Sequence, residues 1–300
     1  MSIIQRLFFE YAYAVGCRKI TPKEALPSRE LKGQYIVLKP TELQWYADPF
    51  CFCEGGKDYI FFEVFEKLTG KGCIGYSVFD GKKYSPVQVV LRESFHLSYP
   101  NVFKSGKHIY MIPETNEAGQ IRVYEASEFP VKWKLRKVLV DNINAVDTSF
   151  LKTESGDLFL YTHVIEGASP AFKLFSFDLD TLSCIPVKSP VTASNERPAG
   201  NMLTIGGNKY RLLQDCSKVY GEKIKVYLID NSNPHSYRET YVGDITANIL
   251  RTNTGISYER THTLTRASNI EAVDFCYKKF YLTKPILRVW FKLRKLFERD

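Results

Sequence analysis

No run of this sequence is long and apolar enough to span a bilayer, which excludes a bundle of membrane-crossing helices. A secretory leader is not expected either. The opening MSIIQRLFFEYAYAVG is apolar but broken by Arg6 and Glu10, and it has no small-residue cleavage pattern, so the expected setting is the cytoplasm. The seven cysteines show no metal-ligand spacing. Cys51 and Cys53 form a C-x-C on an apparent strand, where alternate side chains point to opposite faces. Free thiols in a reducing compartment are therefore expected, with no bound metal and no cofactor. Basic charge is nearly absent from the body. Residues 278–300 hold eight basic and two acidic side chains, +6 of the net +8, leaving +2 for the other 277 residues. A nucleic-acid binder carries its basic footprint on the folded domain, so nucleic acid is not an expected partner. Helical periodicity is also scarce between the termini.

What remains is strand-like. The chain is 44% hydrophobic and 14% aromatic, with 19 Tyr and 20 Phe, a composition that suits strands. FCFCEGGKDYIFFE, NVFKSGKHIYMIPE, SFLKTESGDLFLYTH and NMLTIGGNKYRLLQD each read as strand, polar turn, aromatic-rich strand. Each is led by a short motif: Ala47-Asp48-Pro49, Ser98-Tyr99-Pro100, Val146-Asp147-Thr148 and Glu196-Arg197-Pro198. The central residues lie 51, 48 and 50 positions apart. Third and fourth strands follow each pair. A less regular fifth unit runs from YERTHTLTR into IEAVDFCYKKFYL. A strand-only period near 50 predicts an all-β, five-bladed β-propeller over residues 34–282. It would be preceded by an N-terminal segment, 1–33, whose strand could complete the last blade, and followed by a helix at 283–300.

In such a ring the first strand of each blade lines a central channel. The motifs would converge there, making Asp48, Asp147, Glu196, Arg197 and His262 neighbours, with Glu114 of IPET reaching the rim. The architectural alternative is that these residues only cap strands. Their variety, Asp, Tyr, Asp, Arg and His, points instead to a shared site at one end of the fold.

YADPF, HLSYPNVF, YMIPET, VYEASEFPVKW, AVDTSF and RPAGNM resemble a family of five-bladed propellers. That family occurs in bacterial surface-polysaccharide loci and as the N-terminal region of plant glucosamine inositolphosphorylceramide transferases. The resemblance covers about residues 40 to 275. More distantly the chain is similar to propeller glycoside hydrolases such as arabinanases and xylosidases. That likeness implies Asp48 as a blade-one base, Asp147 as a second, positioning Asp, and Glu196 as the acid, although Arg197 stands where the acid motif has Gly. Glu114 is the rival acid.

Chemistry at a glycosidic bond commonly needs two carboxyl groups, one kept protonated and one ionised. Asp48 suits the base, and Glu114, after the apolar IYMI, suits the acid. Arg197 would bind an anionic group on the substrate or hold Asp147 ionised. Trp45, Tyr46 and Tyr99 would stack on sugar faces or simply pack. His96 and His262 complete the substrate-binding set.

The tail KPILRVWFKLRKLFERD places Ile286, Val289, Trp290, Leu293, Leu296 and Phe297 on one helical face, flanked by basic residues. It reads as an amphipathic helix for an anionic membrane surface, with packing under the propeller as the alternative. IIQRLFF at the other terminus is a second, shorter candidate. The expected function is therefore work on a glycosidic linkage of a surface-polysaccharide or nucleotide- or lipid-linked glycan, at the inner membrane face. The alternative is a glycan-binding propeller that presents substrate to a partner transferase.

Overall fold

The computed structural model describes residues 7–28, 33–165, 171–188, 196–233, 236–286 and 289. The chain opens with β1 (Phe9–Lys19) and β2 (Ile36–Leu38), whose place is decided by the far end of the sequence. Blade one follows: β3 (Gln44–Glu54), β4 (Lys57–Glu66), β5 (Lys71–Val78) and β6 (Gln88–Leu91). Blade two is β7 (Ser98–Ser105), β8 (His108–Glu114), β9 (Gln120–Glu128) and β10 (Lys132–Asp141). Blade three is β11 (Ala145–Lys152), β12 (Leu158–Val164), β13 (Ala171–Asp178) and β14 (Ser183–Val187). Blade four is β15 (Leu203–Ile205), β16 (Asn208–Asp215), β17 (Lys223–Asn231) and β18 (Arg238–Ile245). The last two strands are β19 (Leu264–Ala267) and β20 (Ile270–Phe280). Each blade is a four-stranded antiparallel sheet, and the fifth has the order β19-β20-β1-β2. The protein is a five-bladed β-propeller with very little helix.

The ring closes by pairing the two ends of the chain. β1 and β20 run antiparallel from Phe9↔Phe280 to Lys19↔Ile270. Residues 9–19, in the N-terminal segment whose strand could complete the last blade, are the third strand of that blade. The pairing is fastened by the fully buried Glu271. Its Oε1 accepts from Arg18 Nε at 2.7 Å and from the Tyr35 hydroxyl at 2.5 Å, and its Oε2 accepts from Arg266 Nε at 2.7 Å. Leaving such a carboxylate without its partners costs about 3 kcal/mol or more. Apolar layers fill each seam between blades. The seam of blades five and one holds Val15, Tyr46, Ile60, Phe62 and Val64; that of blades one and two holds Phe61, Ile74, Leu97 and Met111.

The expected terminal helices fall mostly outside the described residues. At the two termini, helical backbone is described only at 7–8, 284–286 and 289. Among the described residues no helix is long and apolar enough to cross a membrane.

Three inner strands carry the same device near one end. Asp48, Tyr99 and Asp147 have φ of 50°, 49° and 55°. At each, two residues oppose one on the partner strand, between Ala47 and Phe50, Ser98 and Asn101, and Val146 and Ser149. These are β-bulges, which bend a strand and re-aim a side chain. A left-handed non-glycine residue costs about 1–2 kcal/mol, so the surrounding contacts must hold it.

Candidate active site in the propeller well

The bulge at Asp48 turns its carboxylate toward blade five. There Asp48 Oδ1 accepts from Thr263 Oγ1 at 2.8 Å and lies 3.2 Å from His262 Nε2. The other ring nitrogen, Nδ1, faces Asp274 Oδ2 at 2.9 Å. Asp274, on β20, also takes the backbone N–H groups of His262 and Thr263 on Oδ1, at 2.8 and 3.2 Å. All three side chains are buried. Burial alone would push His262 down, but Asp274 and Asp48 outweigh it and hold the imidazolium well above the usual range. Burial would likewise raise Asp48. The hydrogen bond and charge of His262, with help from Thr263 and Arg197, hold it below the usual carboxylate range instead. Ligand atoms of Asp48, His262 and Asp274 all lie within 4.8 Å of one another, so a small cation would fit their number and chemistry. Here both ring nitrogens are turned to carboxylates.

A second cluster faces the first. Arg197 Nε donates to Asp147 Oδ2 at 2.6 Å, and Gln214 Nε2 donates to the same oxygen at 3.0 Å. Glu114 Oε2 accepts the Asp147 backbone N–H at 3.3 Å and lies 3.5 Å from Arg197 Nη2. Burial and the Asp147 charge raise Glu114 to about 8, with Arg197 opposing. Burial also pushes Asp147 up, against the pull of Arg197.

A third pair stands beside them. Glu63 Oε1, on β4, lies 3.2 Å from His96 Nε2, and His96 Nδ1 accepts the Gly72 N–H at 3.0 Å. The aromatic wall is Trp45 stacked on Phe65 at 4.4 Å and 8°, with Tyr13 between Trp45 and His262, and Tyr220 beside His262. Together these groups line a cavity of about 220 Å³. Below it the channel is closed. Asn101 and Asn201 exchange amide hydrogen bonds across the ring at 2.8 Å each. The Tyr99 hydroxyl bonds Ser149 Oγ at 2.8 Å and accepts the Gly200 N–H at 2.6 Å.

Of the residues singled out in the sequence, Trp45, Asp48, His96, Glu114, Arg197 and His262 line the well, and Asp147 anchors Arg197 beside it. Three do not join it. Tyr46 is the strand neighbour of Trp45 and so faces the other way, packing on Phe62 at 5.1 Å. Tyr99 is fully buried and ties blades two, three and four together, with no face left for a sugar. Glu196 points away from Arg197, to an ion pair with Lys225 and to the Tyr227 hydroxyl at 3.5 Å. Of the two glutamates that the sequence offers, Glu114 lines the well and Glu196 does not.

Sequence reasoning missed Tyr13, Glu63, Gln214, Tyr220 and Asp274. Two of them had a signal. Glu63 in IFFEVF and Asp274 in AVDFCY are single acids inside apolar strand runs, which stay buried only with partners.

Residues 39–274 match the model of the family described as glucosamine inositolphosphorylceramide transferase 1, N-terminal. The transferase of that name from Arabidopsis thaliana is 35% identical over 207 residues, 65% of this chain and 27% of the relative. The one from Oryza sativa subsp. indica is 34% identical over 208 residues, 65% and 28%. The chain thus spans little more than a quarter of the length of the curated relatives it matches. Solved structures share the fold at low identity. The family 117 glycoside hydrolase Zg3597 of Zobellia galactanivorans has TM-score 0.54 at 12% identity, covering 90% of this chain and 91% of that one. The family 62 α-L-arabinofuranosidase catalytic domain of Coprinopsis cinerea has TM-score 0.57 at 14% identity, covering 86% and 85%. By its matched span and its five blades, the chain belongs to the family of the glucosamine inositolphosphorylceramide transferase 1 N-terminal region.

Proposed function

We propose that the well acts at a glycosidic linkage of a surface-polysaccharide or nucleotide- or lipid-linked glycan, by transfer or hydrolysis. One observation carries this reading: one cavity holds a carboxylate kept below its usual range, Asp48, and a carboxyl raised to about 8, Glu114. At neutral pH they are an ionised base and a protonated acid, the division of labour that glycosidic chemistry requires. Glu114 would give its proton to the leaving-group oxygen as the bond to the anomeric carbon breaks. Asp48 would take the proton from the attacking hydroxyl, of water or of an acceptor sugar. Arg197 and Asp147 position Glu114, and the Trp45 ring offers an apolar face to a sugar. The names of the relatives and of the structural neighbours, sugar transferases and glycoside hydrolases, accord with a carbohydrate role. The seven cysteines, all free thiols, fit a reducing compartment, so we place the reaction on the cytoplasmic side.

A second reading has its own support. The match covers 27% of a relative named a transferase, which leaves most of that protein's length outside this domain. A propeller that binds glycan and presents it to a partner transferase accords with that division. Asp48→Asn separates the two. With a panel of nucleotide- and lipid-linked sugars and oligosaccharides, catalysis predicts measurable turnover by the parent, lost in the variant, with glycan binding retained. Binding without turnover by the parent protein favours presentation and ends the catalytic reading.

A further inference from the structure

Both ends of the chain leave the propeller at the mouth of the well. β20 rises past Asp274 to Phe280, and β1 descends beside it from Phe9 to Tyr13, which lines the cavity. The four pairs beyond Tyr13↔Cys276 carry the two strands on to Phe9↔Phe280, with Ala12, Tyr277 and Tyr281 buried and Lys67 lying over the Tyr281 ring. The chain turns at the same end include the approach to β3 and the β4–β5 turn, joined where the Lys67 N–H donates to Leu43 O at 2.9 Å.

Several large apolar side chains meet solvent at this end. Leu7, Leu43, Leu68 and Phe280 are exposed, and Leu282 and Ile286 are 72% and 70% exposed. At the opposite end, the hairpin turns 55–56, 106–107 and 206–207 are glycine and lysine only. Contiguous exposed apolar surface on one end of a propeller marks a contact site. Its charge says what kind. Residues 278–286 hold Lys278, Lys279 and Lys284 and no acid, and the sequence from 287 to 300 adds five basic residues against Glu298 and Asp300. Of the acids nearby, Glu10 pairs with Lys67, Glu42 with Lys279 at 3.1 Å, and Glu259 accepts the Tyr11 hydroxyl at 3.0 Å, so the surplus of positive charge lies in the other basic residues.

We propose that this end of the propeller docks on an anionic lipid bilayer, with the well opening onto the membrane plane. The leucines, Ile286 and Phe280 enter the apolar boundary beneath the headgroups, and the net positive charge of residues 278–300 is attracted to the lipid phosphates. An acidic protein partner would match the charge, but not the exposed aliphatic side chains at the same end.

The test uses the full chain and vesicles without saccharide, so its outcome is independent of the chemistry in the well. The protein should sediment with phosphatidylcholine vesicles containing roughly 30% phosphatidylglycerol, and at least about 10-fold less with phosphatidylcholine alone or at high salt. The double variant Leu282→Glu/Ile286→Glu alters exposed positions and should fold normally yet lose about as much binding. In a Cys216→Ser background, an environment-sensitive dye on Leu68→Cys should shift to the blue on anionic vesicles, and one on Lys107→Cys, at the far end, should not. Undiminished binding by the double variant overturns the proposal. So does a shift at position 107 in place of 68. A shift at 68 without vesicles, in a protein that runs as a dimer, overturns it in favour of a second copy on this face.

Discussion

His262 is held between two carboxylates, with Nε2 3.2 Å from Asp48 Oδ1 and Nδ1 2.9 Å from Asp274 Oδ2. The contact crosses from the last blade to the first, so it links the closure of the ring to the ionisation of the proposed base. Asp274 also receives two backbone N–H groups from the loop that carries His262, and the Asp48 N–H reaches it at 3.4 Å. The left-handed backbone at Asp48 is thus supported by the same carboxylate that orients the histidine.

Replacing His262 by Gln should move the acidic limb of the pH–activity profile to higher pH. The imidazolium holds Asp48 below its usual range, and without it burial raises that carboxyl. Stability should fall as well, by about 3 kcal/mol, because two buried carboxylates lose the charge between them. The signs then separate. The stability from Asp48 is present above its unfolded pKa and is lost as pH falls through the lower folded value. That from His262 is complete below its unfolded pKa and is lost as pH rises through the higher folded value. Urea melts of parent and variant across pH should show the variant without the His262 slope and with the Asp48 slope reversed in sign.

Glu114→Gln should be slower and, at alkaline pH, more stable than the parent. A general acid contributes about 10²–10⁴-fold, so turnover should fall by that order, and the basic limb near pH 8 should vanish. The folded protein keeps this proton up to about pH 8, while the unfolded chain releases it near 4.5. Between those values the native state binds more protons, and parental stability declines as pH rises. The variant carries no such titration. Its advantage should grow from nothing at about pH 4 to a few kcal/mol at about pH 9, read from denaturant midpoints.

Glu196→Gln should leave turnover within about two-fold of the parent, as surface changes generally do. The sequence motif places Glu196 beside Arg197, and the resemblance to propeller hydrolases implies it as the acid. The structure turns it to Lys225. A loss comparable to that of Glu114→Gln would show that the acid had been assigned to the wrong carboxyl.

These residues show what a sequence of this kind discloses. The fold was legible because each blade writes the same strand, turn, strand pattern at a period near 50. The bulge positions Asp48 and Asp147 were legible because the leading motifs repeat. Tyr46, Tyr99 and Glu196 misled because motif position alone does not say which way a side chain faces. A single bulge reverses the alternation locally, and Tyr99 shares the φ of Asp48 yet packs into the floor. Glu63, Gln214 and Asp274 come from second strands, which carry no repeated motif. Only the isolated acid inside an apolar run marks Glu63 and Asp274, and nothing marks Gln214.

Gly200→Ala should destabilise the protein by more than about 1 kcal/mol and weaken the well from beneath. At φ +127° a side chain is strained, and a Cβ there would lie 2.3 Å from Leu264 O, a backbone atom that cannot swing aside. Blade four approaches blade five through this glycine, whose N–H also holds the Tyr99 hydroxyl and whose carbonyl accepts from Tyr161 at 3.1 Å. Pushing the strands apart should loosen Asn201 from Asn101 and shift Arg197, three residues back along the chain. Turnover should therefore fall along with the denaturation midpoint. Tyr99→Phe is the comparison: it deletes the hydroxyl while keeping the backbone spacing, so it should lower stability by about 1 kcal/mol and leave activity nearly intact. Equal stability of Gly200→Ala and parent would mean that the seam between blades four and five has slack the packing does not show.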